Sequence, residues 1–150
     1  MREILFRGKP VHKEDYTLNE NMQYSVGYFK EGFVYGSLIV KHNKYYICVG
    51  VAGVLLNSLV NNATATLIEV IPETVGQYTG LTDKNGKRIF ENDIVKIKGK
   101  TRYVFYGSSG FRHTNYGEYA DTFEKVFTTV DCEVIGNIHD NHELNCWREA

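Results

Sequence analysis

Val75-Gly76-Gln77-Tyr78-Thr79-Gly80-Leu81-Thr82-Asp83-Lys84-Asn85-Gly86-Lys87-Arg88-Ile89-Phe90-Glu91-Asn92-Asp93-Ile94-Val95 decides the fold class. Asp83-Lys84-Asn85-Gly86 contains the Asn-Gly pair that tolerates positive φ, which marks a tight hairpin turn. Val75–Thr79 before it has the composition of a strand. After it, Ile89-Phe90 and Ile94–Lys98 flank Glu91-Asn92-Asp93, a second turn. Short strands joined by turns rich in Gly, Asn and Asp describe a β-meander, because these residues take the backbone angles that side chains with branched or bulky Cβ groups avoid.

The same rhythm continues outward. Downstream, Tyr103–Tyr106 leads into the Gly107-Ser108-Ser109-Gly110 loop, and Phe123–Val130 and Cys132–Ile138 supply closing strands. Upstream, Glu3–Arg7 reads as a strand followed by a Gly8-Lys9-Pro10 turn, and residues 12–23 as an irregular polar loop. Gly27–Val40 is broken by a Glu31-Gly32 turn, His42-Asn43 introduces a strand over Lys44–Val51, and Thr64–Ile71 alternates with β-branched residues. The only helix candidates are Val51–Leu59 and Tyr116–Glu124. Strands at intervals of about 8–12 residues point to a barrel or sandwich rather than a parallel α/β sheet. The expectation is one mainly β domain over residues 1–150 with little helix, a break near Pro72 dividing it into two small β subdomains.

Composition agrees. The chain has 150 residues, with 11 Tyr, 8 Phe and 14 Gly against 2 Pro, a balance that favours strands and tight turns over helices. Its 17 Lys plus Arg nearly cancel 18 Asp plus Glu, which excludes a polybasic mode of binding and leaves only a local patch for any anionic partner. The start lacks the apolar core of a signal peptide. Val49–Val60, the most apolar stretch, is shorter than the ~20 residues a membrane helix needs. Cys48, Cys132 and Cys146 are odd in number and widely spaced, against a disulfide framework. The chain reads as cytoplasmic, with reduced thiols and no membrane partner.

The block at 75–95 resembles the YopX family of phage and prophage proteins. Arg2-Glu3-Ile4-Leu5-Phe6-Arg7-Gly8 and Glu133-Val134-Ile135-Gly136-Asn137-Ile138-His139 support the likeness at either end of the chain. The resemblance implies a small barrel of SH3-like character, encoded by a phage or prophage within its host cell. It implies an accessory protein and no particular reaction. Where the family usually has Gly, this chain has Asn92, the least costly non-Gly residue at positive φ. Where the family tends to an aromatic and a proline, it has His139 and His142.

Five residues are the candidate contact surface. Lys96, Lys98, Lys100 and Arg102 alternate along the chain while Val95 and Ile97 take the opposite parity, so period 2 places the cations on one strand face. Tyr103 follows, and cations beside rings suit single-stranded nucleic acid, whose phosphates need neutralising and whose bases stack. The plainer account is a solvated face whose lysines protect a sheet edge, and a turn at Gly99-Lys100 would split the set.

Other constellations have the residue types of a site without its spacing. His139, His142 and Glu143 with Cys132 or Cys146 contain zinc ligand types but no paired knuckle. Ser108, Ser109, His113 and Asp121 contain triad types without a strand–elbow–helix context. Asp83, Glu91 and Asp93 read as turn-forming carboxylates before they read as an acid–base pair. Gly50-Val51-Ala52-Gly53 lacks the Lys-Ser/Thr of a phosphate loop. Val51, Val54, Leu55, Leu56 and Leu59 form a core strip or a self-association surface. The expectation is a non-catalytic, cofactor-free binding or assembly protein, homo-oligomeric, with the loops at 99–119 meeting an unidentified protein partner. The alternative is a nucleic-acid-binding barrel.

Overall fold

The computed structural model describes residues 3–19, 26–50, 66–107, 110–114, 121–122 and 132–144. The chain divides into two compact units, Ile4–Gln77 and Tyr78–Ala150 together with Met1–Glu3.

In the N-terminal unit, strands β1 (Phe6–Gly8), β2 (Tyr28–Lys30), β3 (Phe33–Lys41), β4 (Lys44–Val49) and β5 (Thr66–Val70) pair antiparallel in the order β5-β4-β3-β1. The first residues of β6 (Gly76–Thr82) join beside β1, and β2 lies on β3. Two hairpins turn on residue pairs that both have positive φ, Glu31-Gly32 (53° and 82°) and His42-Asn43 (50° and 63°). That is the geometry of two-residue turns whose twist matches the strands they join. Across β3, β4 and β5 the rows Leu38–Ile47–Ile68 and Val40–Tyr45–Val70 lie side by side. Ile47, Ile68 and Val70 from these rows join Val34 and Val49 in the core. Fully burying each such side chain stabilises by about 1.5–3 kcal/mol. Gly36 is required by packing, because a Cβ there would strike the carbonyl oxygen of Cys48 on the neighbouring strand.

In the C-terminal unit the rest of β6 pairs with β7 (Arg88–Phe90), and Tyr78 sets its ring 5.5 Å from that of Phe90. Strands β8 (Asp93–Ile97), β9 (Lys100–Gly107), β10 (Gly110–Thr114), β11 (Asp121–Thr122) and β12 (Cys132–Asn137) form an antiparallel sheet in the order β11-β10-β9-β8-β12. Its core is Ile89, Val95, Ile97, Val104 and Cys132, packed by Leu81, Phe111 and Val134.

The fold is mainly β and antiparallel, but among the described residues neither unit shows a closed barrel. One cause is visible at β12. Its outward-facing groups are taken by a turn instead of a strand: the Cys132 carbonyl accepts Lys84 N–H at 2.9 Å, and Val134 N–H donates to Asp83 Oδ2 at 2.9 Å. At those two positions the turn stands where a further strand would pair to continue the curl.

Some expected elements are moved. A short helix, α1 (Lys13–Asn19), replaces part of the loop expected at 12–23. Glu14 and Asp15 sit in its first turn, where carboxylates suit the positive end of the helix dipole, and Tyr16 meets Phe29 edge-on at 5.7 Å. The first strand begins at Phe6 rather than Glu3 and takes in Gly8, which was expected to turn. The expected loops at 99–119 are largely strands β9 and β10, because Phe111 packs onto the core and meets Tyr106 edge-on at 5.0 Å. The Val51–Leu59 helix, the Phe123–Val130 strand and the apolar set from Val51 to Leu59 lie outside the described residues. So does most of the Tyr116–Glu124 helix, although Asp121–Thr122 is strand.

Candidate functional site

The β8–β9 hairpin carries all five candidate contact residues, and its turn decides how they are shared between faces. Lys98 (φ 50°) and Gly99 (φ 79°) are the two turn residues, so Ile97 faces Lys100, Lys96 faces Thr101, Val95 faces Arg102 and Ile94 faces Tyr103. Cross-strand partners share a face. A turn of two residues therefore sets Lys96 on the face of Thr101 and Tyr103, and Lys100 and Arg102 on the face of Val95 and Ile97. The alternation expected to gather four cations on one face is broken at the turn, and the turn falls one residue earlier than Gly99-Lys100. Lys96, Lys98 and Lys100 are exposed, whereas Arg102 and Tyr103 are half-buried. Tyr103 lies 5.7 Å from the Phe105 ring.

What the structure adds is a second lysine-bearing turn. Asp83, 3% exposed, accepts the N–H groups of Asn85 (2.8 Å) and Lys87 (2.9 Å) on Oδ1 and that of Val134 on Oδ2. Of the Asn-Gly pair only Gly86, at φ 80°, takes the left-handed backbone, and its N–H donates to the Asp83 carbonyl to close the turn. Lys84 thus rests on the Cys132 carbonyl, and Cys132 is the register partner of Ile97, the residue before the Lys98-Gly99 turn. The two turns bracket one end of the β12–β8–β9 sheet. The Lys84 ammonium pairs with Glu133 at 3.4 Å, and both side chains stay more than 40% exposed.

The remaining carboxylates and amides hold backbone. Asp93, 1% exposed, accepts Phe90 N–H at 2.7 Å on Oδ2, closing the Glu91-Asn92 turn, in which Asn92 has φ 74°. Asn137 Oδ1 accepts the N–H groups of His139 and Asp140, its side-chain amide donates to Asp140, and its own N–H donates to Asn141 Oδ1. The Asn141 side chain leaves no room for a Cβ at Gly136. A hydrogen bond from its own backbone N–H, then one from the Asn141 side chain, holds the exposed Glu143 carboxyl below its ordinary value.

Burial first, then the charges of Asp83 and Asp93, push the Cys132 thiol up from 9.0 to about 12. A thiol so protonated is a poor nucleophile and a poor metal ligand. Among the described residues, no three His, Cys, Asp or Glu side chains are grouped to hold a metal ion. Cys146 and the serines at 108 and 109 lie outside the described residues, and His113 and Asp121 are register partners on β10 and β11.

These brackets and turns fall on the sequence blocks at 75–95 and 133–139, and the family model for YopX protein matches residues 42–144. The chain belongs to the YopX family. A YopX family domain is generally without an assigned molecular function. No curated protein matches the chain. A crystal structure of protein EF1440 from Enterococcus faecalis is 18% identical, with a TM-score of 0.43, covering 96% of this chain and 99% of that one. Among the described residues, no helix is long and apolar enough to cross a membrane.

Proposed function

We propose that this YopX protein is a non-catalytic binding or assembly module of phage or prophage origin, working in the host cytoplasm as a homo-oligomer with a protein partner. One observation carries the reading. Both oxygens of Asp83 are occupied by three backbone N–H groups, so this buried carboxylate of the family's longest block serves the fold rather than a substrate. The exposed lysines at and beside the turns, Lys84, Lys96, Lys98 and Lys100, are among the groups left to meet a partner. Light scattering across a concentration series tests the assembly: a dimer or larger species is expected, and a monomer throughout would remove it.

A second reading, a nucleic-acid contact through Lys96, Lys98, Lys100, Arg102 and Tyr103, is favoured by the exposure of the three lysines around the hairpin tip. The register weakens its strand-face form, since Lys96 is separated from Lys100 and Arg102.

A further inference from the structure

We infer that the anion-binding surface of the C-terminal unit is the lysine end formed by its two turns, Lys84 with Lys96, Lys98 and Lys100, and that it takes the phosphate backbone of a nucleic acid without reading bases. This inference deepens the nucleic-acid reading and rests on it, and it exchanges Arg102 and Tyr103 for Lys84.

The placement follows from backbone contacts. Lys84 N–H bonds to the Cys132 carbonyl, Cys132 pairs with Ile97, and Ile97 pairs with Lys100. That row crosses three backbone spacings, about 15 Å at the ~4.8 Å separation of neighbouring strands. Lys98 stands in the turn at one end of it, and Lys96, one residue inside, pairs across β8 and β12 with Glu133 and so reaches this end from the sheet face opposite Lys100. Over about 15 Å a DNA duplex presents about nine charges, at one per ~1.7 Å.

Among the described residues, nothing crowds the two glycines of these turns. Gly86 and Gly99, one in each turn, have nothing within 4 Å of where a Cβ would stand. The ammonium groups are point charges that meet a phosphate from any direction, whereas directional, bidentate recognition would call for arginine. Among the described residues, the strongly exposed ring of this sheet is Tyr106, at 62%, toward the far end of β9 and away from the lysines. A contact to phosphate alone should bind single and double strands alike.

Glu133 sharpens the inference. It pairs with the Lys84 ammonium inside the cluster, where an anionic ligand would compete with it. An exposed ion pair of this kind adds little to stability. Removing the carboxylate should therefore leave the fold intact and improve anion binding.

The test is fluorescence anisotropy of labelled single- and double-stranded oligonucleotides against the full chain over a salt series. Wild-type protein is expected to bind both at about 10⁻⁴–10⁻⁶ M, with log K falling against log salt at a slope of about −3, as for about three or four phosphate contacts. Lys84→Gln and Lys98→Asn, the latter keeping a residue that accepts positive φ, should each make the slope shallower by about one. Glu133→Gln should bind more tightly and steepen it by a similar amount. Arg102→Gln, checked for folding by circular dichroism, should leave the slope unchanged.

No binding at low salt would overturn the inference while leaving the oligomer measured by light scattering untouched. Loss of the slope in Arg102→Gln with none in Lys84→Gln would return the contact to the strand face. Competition by polyglutamate as effective as by an oligonucleotide of equal length would assign the lysines to an acidic protein segment instead.

Discussion

The two units solve the same problem, holding short antiparallel strands together, with different chemistry. The N-terminal unit relies on apolar rows running across β3, β4 and β5 and on a glycine that lets β3 and β4 approach. Even its buried cation serves packing, with the Arg7 guanidinium 4.3 Å above the centre of the Phe33 ring. The C-terminal unit has a core of similar kind but ties its turns and one sheet edge with side-chain oxygens, above all those of Asp83, Asp93 and Asn137. Apolar rows tolerate change of shape and punish loss of volume, whereas a buried carboxylate acceptor punishes any loss of its oxygens. The longest family block lies almost wholly in the second kind of structure, which explains why its most recognisable residues are turn formers.

The largest effect should come from removing a bracket. Asp83→Ala leaves three N–H groups without their charged acceptor, and hydrogen bonds to charged groups contribute about 1.5–3 kcal/mol each. Urea unfolding should show a loss of at least about 3 kcal/mol, confined to probes in the C-terminal unit. Next comes the N-terminal counterpart. Gly36→Ala forces a Cβ against the Cys48 carbonyl, and overpacking of this kind costs about 1–3 kcal/mol, so probes in β3 and β4 should lose protection while Val134 keeps it. Equal loss at both places in either variant would erase the contrast between the units.

A smaller effect depends on pH. The Cys132 thiol ionises near 9.0 in the unfolded chain and near 12 when folded, so both states hold the proton below pH 9. Between the two values only the unfolded chain loses it, and stability falls by about 1.4 kcal/mol per pH unit from this group. Cys132→Ala should flatten the alkaline limb of a stability–pH curve relative to wild type, and alkylation at pH 8 should leave Cys132 unmodified until the protein unfolds. The smallest effect belongs to Asn92, at φ 74°. Asn92→Gly should change thermal stability by less than about 0.5 kcal/mol, whereas Asn92→Ala should lose about 1 kcal/mol because alanine has no local hydrogen bond to offset a left-handed backbone.

The turns were legible because they are local. Glu31-Gly32, His42-Asn43 and Asn85-Gly86 each announce themselves by a Gly or Asn, the types that accept positive φ, and the strands between them follow. The candidate surface was only half legible. Alternation along one strand is readable, but the faces either side of a hairpin depend on turn length, and a turn of two residues at Lys98-Gly99 reverses the parity beyond it. Lys84 was invisible as a neighbour of that hairpin, because the turn that carries it docks through Asp83 onto Val134, 51 residues along the chain. Helix α1 escaped notice because its seven residues carry no apolar period and one ring, Tyr16, packs it against Phe29.

Amide hydrogen exchange on Asp83→Asn tests most directly the claim that the family block serves the fold. Asparagine keeps an oxygen for Asn85 and Lys87 but presents N–H₂ where Oδ2 accepted Val134. The account predicts faster exchange at Val134 and retained protection in the N-terminal unit. Val134 protection unchanged from wild type, in a variant that nevertheless lost binding, would contradict it and make Asp83 a contact residue.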